Sequence, residues 1–141
     1  MREGICPAPF CKETGEHHTE PILFESEHWR VTLNTFNYKT ARVAFLLVHK
    51  GHVADIDQMS DSAWLELKHL ISRLKREHGI RGLSMVYRIG DTDYTGATVT
   101  HQHVNLISGG PHWEVPDGRN DAIENEAVRV TVGYRHVPEQ E

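Results

Sequence analysis

Gly96-Ala97-Thr98-Val99-Thr100-His101-Gln102-His103-Val104-Asn105-Leu106-Ile107 combines a glycine, two hydroxyls and two alternating histidines in twelve residues. Side chains of an extended strand alternate between faces, so His101, His103 and Asn105 share one face while Gln102, Val104 and Leu106 share the other. Neighbours on one face stand about 7 Å apart on backbone stiffened by sheet hydrogen bonds. Rigid placement of this kind is what a reacting nitrogen requires. Upstream, Gly96 permits close backbone approach, and the Thr98 hydroxyl with nearby backbone N–H groups can ring an anion such as phosphate. An imidazole with a pKa near 6.5 attacks as the neutral base, and fixed donors stabilise the charge that builds on phosphoryl oxygens. The competing reading of the alternation is the polar, solvent-facing side of an edge strand.

Working outward, Ile22-Leu23-Phe24 and the alternating Trp29, Val31 and Leu33 predict a strand or hairpin. Residues 34 to 39 form a connection, and the uniformly apolar Val43-Ala44-Phe45-Leu46-Leu47-Val48 predicts a central strand covered on both faces. Ser60 and Asp61 are N-cap candidates for a helix whose apolar positions are Trp64, Leu67, Leu70, Ile71 and Leu74. On this reading Trp64 belongs to the core, His69 and His78 to the surface or cap, and the helix ends near Gly79. Leu83, Met85, Tyr87 and Ile89 predict another strand, residues 90 to 96 a polar loop, and Val128, Val130 and Val132 a last strand. At least five strands with one long helix and no β-α-β alternation indicate an antiparallel α+β domain.

The chain has 141 residues, of which 38% are hydrophobic, enough for one core and hence a single domain over 1–141. Within it, residues 1–21 form a Cys-, Pro- and His-bearing N-terminal segment too poor in apolar surface to fold unaided, and 22–137 form the core. The net charge of -5 disfavours a duplex DNA or RNA partner, although local groups can still hold a small anion. No Walker-type Gly-Lys-Ser/Thr segment is present, which disfavours a P-loop kinase. The opening residues lack the apolar run of a signal peptide. The longest apolar run is six residues where a membrane span needs about 20, so no membrane association and a cytoplasmic location are expected.

Cys6 and Cys11, with four residues between them, make a poor disulfide framework. Zinc ligation, free structural thiols and a redox pair are the three uses open to them. Zinc needs two further ligands, for which His49, His52 and His101 are the supply, and its binding would hold the N-terminal segment in place.

The stretch from Gly96 to Ile107 resembles the signature of the histidine-triad (HIT) superfamily, in which histidines alternate with hydrophobic residues after a Gly-x-Ser/Thr element. Phe45-Leu46-Leu47-Val48-His49-Lys50-Gly51-His52-Val53-Ala54-Asp55-Ile56 is similar to the same family's strand and its His-Val-Ala-Asp-Leu turn. The resemblance covers roughly residues 6 to 110. It implies a HIT-like fold, a mainly antiparallel five-stranded sheet with one long helix, usually as a homodimer. The implied activity is that of a nucleotide hydrolase or nucleotidyltransferase, acting at the α-phosphate of a nucleotide conjugate through a nucleotidyl-histidine. His103 takes the role of nucleophile, with Thr98 among the groups holding the phosphate. The implied cofactor is a structural zinc held by Cys6, Cys11, His52 and His101, with His49 as the alternative to His52. Asn34 and Asn37 fall near the family's nucleoside-contacting segment, and adenine or guanine nucleotides are the implied preference.

Several residues depart from the family pattern. Asn105 stands where hydrolase-like branches have histidine and transferase-like branches glutamine, so that position supplies orientation and no proton. Gln102 is polar where the motif prefers an apolar residue, and Ala97 replaces a common glutamine. Arg88 and Asp91 flank the approach to the motif, where Arg88 can pair with phosphate charge; with Gly96 and Ala97 they complete the expected substrate-binding set. A noncatalytic nucleotide-binding or zinc-stabilised interaction protein of the same fold is the alternative.

Overall fold

In the computed structural model, residues 21–34, 41–96, 101–111 and 127–138 are described. Ile22–Glu25 (β1) and Trp29–Leu33 (β2) form a hairpin, and Val43–His49 (β3) pairs antiparallel with β2. Asp61–Glu77 (α1) then leads to Ser84–Tyr87 (β4) and His103–Ser108 (β5). The sheet order is β1-β2-β3-β5-β4, and every pairing is antiparallel. β3 and β5 meet side by side at the centre, with Leu47 opposite Val104 and Val48 opposite His103. Among the described residues no helix is long and apolar enough to cross a membrane.

The ends of α1 follow local chemistry. The Ser60 hydroxyl accepts the Ala63 N–H at 3.1 Å, satisfying one of the donors that a helix start leaves open. At the other end Gly79 has φ +59, which lets the Ile80 N–H turn back to the Lys75 carbonyl at 2.9 Å. Ala63, Leu67, Leu70 and Leu74 are buried at the 4-3-4 spacing that marks one face of a helix. That face lies on Trp29, Val31, Phe45, Leu47, Val104 and Leu106, one from each alternate position of β2, β3 and β5. The buried Trp29 indole N–H donates to the Ala63 carbonyl at 2.9 Å, joining the hairpin to the first turn of α1.

Two expectations change. Trp64 is 46% exposed and stacks on Tyr87 of β4 with ring centres 6.1 Å apart. Ala63, next to it in the sequence, takes the wholly buried position because the apolar stripe runs 63-67-70-74 and leaves Trp64 on its flank. Residues 127–138 carry no strand, and Val132 is exposed. Thr131, between two of those valines, is what meets the 88–96 segment. The Arg88 guanidinium donates to the Thr131 carbonyl, and a side chain at Gly96 would meet Thr131 atoms at 3.1 to 3.2 Å.

Candidate active site at the start of β5

The chain approaches β5 under tight restraint. Gln102 is 2% exposed. Its backbone N–H donates to the Val53 carbonyl at 2.8 Å, its carbonyl accepts the His49 N–H at 3.1 Å, and its side-chain amide donates to the Ala54 carbonyl at 2.8 Å. One residue therefore fastens the Val53-Ala54 turn to the histidine stretch, and of its three bonds the one to Ala54 requires the side-chain amide.

His101 is fully buried, and its Nε2 lies 2.5 Å from the His49 carbonyl. A carbonyl only accepts, so the ring donates through Nε2 and turns its Nδ1 lone pair the other way. Burial pushes the His101 pKa down, partly offset by that carbonyl, and the neighbouring His52 and His49 lower it further. The shift favours the neutral ring. The His52 ring stands 6.0 Å from it. The two rings meet edge to face. The His49 ring instead packs edge-on against Trp29 at 5.2 Å, and its Nδ1 lies 3.1 Å from both the carbonyl and the N–H of Gly51. Cys6 and Cys11 lie outside the described residues.

His103 is half-buried at the start of β5, with Nδ1 2.8 Å from the His101 carbonyl. By the same reasoning Nδ1 carries the proton and the lone pair of the neutral ring sits on Nε2. Burial lowers the His103 pKa, the His101 carbonyl raises it, and the Arg88 charge lowers it again. Arg88 itself is held by the Thr95 carbonyl at 2.9 Å and the Thr131 carbonyl at 2.7 Å.

Further along the same face, Asn105 accepts the buried side-chain N–H of Asn34 at 2.9 Å. Thus His103, Asn105 and Asn34 share one face of the sheet. Gly96 adopts φ +70, a conformation that disfavours any other residue there, and it closely approaches Thr131. Asp91 is exposed and accepts the Asp93 N–H at 2.9 Å, starting a short 3-10 turn over Thr92–Tyr94. Thr98, Ala97 and Asn37 lie outside the described residues.

Sequence reasoning missed the clamp made by Gln102 and the strap of Thr131 over Gly96 and Arg88. It also missed a group formed by Glu27, His28 and Glu66, whose ligand atoms all lie within 4.8 Å of one another. Residues 38 positions apart carry no periodic signal, and Gln102 registered only as a departure from an apolar pattern.

No protein-family model matches the chain, and a search of the curated proteins found no match. Solved structures do match. A HIT-like protein superposes with a TM-score of 0.55 at 22% identity, covering 64% of this chain and 87% of that one. A HIT family hydrolase from Clostridium thermocellum gives 0.53 at 24% identity, covering 65% and 84%. The Plasmodium falciparum diadenosine triphosphate hydrolase, in complex with cyclomarin A, gives 0.52 at 14% identity, covering 63% and 60%. The five-stranded antiparallel sheet and the one α-helix of the described residues are therefore a HIT-like fold.

Proposed function

We propose that the protein is a nucleotide hydrolase or nucleotidyltransferase working through a covalent nucleotidyl-histidine at His103. The observation that carries this reading is the 2.8 Å contact of His103 Nδ1 with the His101 carbonyl, which fixes the tautomer and leaves Nε2 as the nucleophilic nitrogen. Nε2 attacks the α-phosphorus of a nucleotide conjugate and forms a P–N bond. The bond from phosphorus to the leaving group breaks, and that group departs with its electron pair. Water or another acceptor then attacks the same phosphorus and loses its proton to the departed group or to solvent, the P–N bond breaks with its electron pair returning to Nε2, and the neutral imidazole is restored. The neutral ring needs no separate base for the first step, because it has no proton to lose from Nε2.

The other residues position and screen. Asn105, anchored by Asn34, orients the phosphate or the ring without supplying a proton. Arg88 contributes positive potential beside His103, and Thr98 with neighbouring backbone N–H groups would hold the equatorial oxygens. Asn37, Gly96, Ala97 and Asp91 remain assigned to the substrate-binding surround, with a purine nucleotide as the preferred ligand. Zinc, when bound by Cys6, Cys11, His52 and His101, supplies a cross-link. It would hold the N-terminal segment on the sheet next to the nucleophile's own strand. Pairing of two copies belongs to the same reading. β4 is an edge strand, and Met85 on it and Trp64 stacked on Tyr87 are exposed apolar groups.

The test is incubation with dinucleoside polyphosphates, nucleoside phosphoramidates and nucleotide sugars, followed by intact-mass measurement. A mass increase of one nucleoside monophosphate unit is expected in the native chain and none in His103→Ala, with an unchanged thermal midpoint. Turnover that survives in His103→Ala rejects the nucleophile. Saturable nucleotide binding with neither adduct nor turnover in the native chain would instead support the noncatalytic alternative.

A further inference from the structure

Gln102 stands between the two histidines of the motif, and its N–H belongs to the same peptide group as the carbonyl that meets His103. A trans peptide is one rigid plane, so the His101 carbonyl and the Gln102 N–H turn together. At one end of that plane the carbonyl lies 2.8 Å from His103 Nδ1, and at the other the N–H donates to the Val53 carbonyl at 2.8 Å. The sheet ladder does not reach this plane, because β5 begins at His103, paired with Val48. The His49 N–H, 3.1 Å from the Gln102 carbonyl, holds the following peptide. A single hydrogen bond is a pivot about which a peptide plane can rock. The Gln102 side chain adds a second bond to the next carbonyl of the same turn, from Nε2 to Ala54 at 2.8 Å, and two bonds to consecutive carbonyls stop that rocking. The turn is anchored from its far side as well, where the Ala54 N–H donates to Gln58 Oε1 at 3.0 Å.

For stability alone the amide contributes little. Gln102 is 2% exposed, and its buried Oε1 has no hydrogen-bond partner among the described residues. A buried acceptor left unpaired offsets what the one side-chain bond to Ala54 contributes, and an apolar residue would fill the place without that loss. We infer that Gln102 is a positioning residue for His103: its side-chain amide locks the peptide between His101 and Gln102 at the angle that keeps the ring proton on Nδ1 and the lone pair on Nε2. This rests on the reading of His103 as the nucleophile. The Val53 carbonyl, the Gln102 peptide and the His103 ring form hydrogen bonds in series, and such bonds strengthen one another. A ring released from the His101 carbonyl can carry its proton on Nε2, and in that form Nε2 has no lone pair to offer phosphorus.

The test compares the full-length native protein with Gln102→Leu, which restores the apolar residue of the motif, and Gln102→Met, which nearly keeps the length. Nitrogen NMR shifts of the His103 ring at about pH 8, above the ordinary histidine pKa, report which nitrogen carries the proton. The rate of nucleotidyl adduct formation, the affinity for a nucleoside monophosphate and the thermal midpoint are read alongside. The native ring should show the Nδ1–H form. Both variants should show a mixture with the Nε2–H form, with nucleotide affinity and midpoint close to native. Adduct formation in them should slow by at least about tenfold, as misaimed reacting groups do. An amide with a merely structural role would lower the midpoint and leave the tautomer alone. A native tautomer in the folded variants overturns the proposal, and so does failure of both variants to fold. A native chain that forms no adduct, beside variants whose tautomer still shifts, rejects His103 as nucleophile and leaves the positioning by Gln102 standing.

Discussion

β5 turns two buried faces in opposite directions, and they are built by different rules. Toward α1 it sends Val104 and Leu106 into a dry cluster with Trp29, Phe45 and Leu47. Away from α1 it sends His103 and Asn105, which share their side of the sheet with Thr32 and Asn34. Asn105 and Leu106 are both nearly inaccessible, at 5% and 1% exposure, so burial does not distinguish the faces. Bonding does. On the helix side stability scales with apolar area and depends little on direction. On the other side each buried polar atom needs a particular partner at a particular angle, and loses more from a broken pair than it gains from a made one. The first face makes the sheet rigid; the second uses that rigidity to aim an imidazole.

The comparison breaks most clearly at Phe45, which is 1% exposed and lies on the helix side of the central strand. Phe45→Ala should lower unfolding free energy by about 3–5 kcal/mol through lost burial and the cavity left behind. Urea unfolding measures this. Under conditions where the variant is folded, the adduct at His103 should still form. A loss of stability below about 1 kcal/mol would mean that the dry face is not what holds the sheet on the helix.

A smaller effect of the opposite character is expected on the polar face. Asn34→Ala leaves the buried Asn105 oxygen without the donor 2.9 Å away and should cost about 1–3 kcal/mol. Adding Asn105→Ala should cost less than it does alone, because the pair is then already broken. Strict additivity in that cycle would show that the two amides act separately. A fall in turnover larger than the stability loss explains would place the pair in phosphate or ring orientation.

This contrast also accounts for what could be read from the residues alone. Apolar periodicity is a local property, so the alternation in β5, the run in β3 and the Leu67, Leu70 and Leu74 spacing of α1 each predict an element and its buried side, although the same spacing put Trp64 in the core where Ala63 is the buried residue. Pairwise polar contacts are not local. Nothing in the residue spacing connects Asn34 to Asn105, Arg88 to Thr131 or His28 to Glu66, because those pairs exist only after the sheet order β1-β2-β3-β5-β4 is set. The HIT resemblance reached further than periodicity, since it named the sheet and helix as one HIT-like fold, which the solved structures match. It could not anticipate Gln102, whose amide does its work through a departure from the motif. The last valine series failed for a related reason: alternation says that residues share a face, and says nothing about whether a sheet edge is present to receive them.

Tyr87 is the polar exception on the helix side and gives the finest test of the division. It pairs with Val104 across the β4–β5 ladder and packs on the dry cluster, yet its buried hydroxyl has no hydrogen-bond partner among the described residues. Burial first, and then the negative charge of Asp55, push its pKa up to about 12. An unfolded tyrosine ionises near 10. Below pH 10 both states are protonated and Tyr87 makes no pH-dependent contribution. Between about pH 10 and 12 the unfolded chain releases this proton while the folded chain keeps it. The folded state then binds more protons, so stability must fall as pH rises, levelling off above pH 12. Tyr87→Phe removes that term and, having no hydrogen bond to lose, should lie within about 1 kcal/mol of the native chain at pH 7. Urea midpoints at intervals from pH 7 to 12 measure both quantities, and the other three tyrosines contribute equally to the two proteins. A native midpoint that declines more steeply than that of Tyr87→Phe above pH 10 is the expected result. Parallel declines would mean that the phenol is solvated in the folded chain, and that the helix side of β5 is less dry than its neighbours make it.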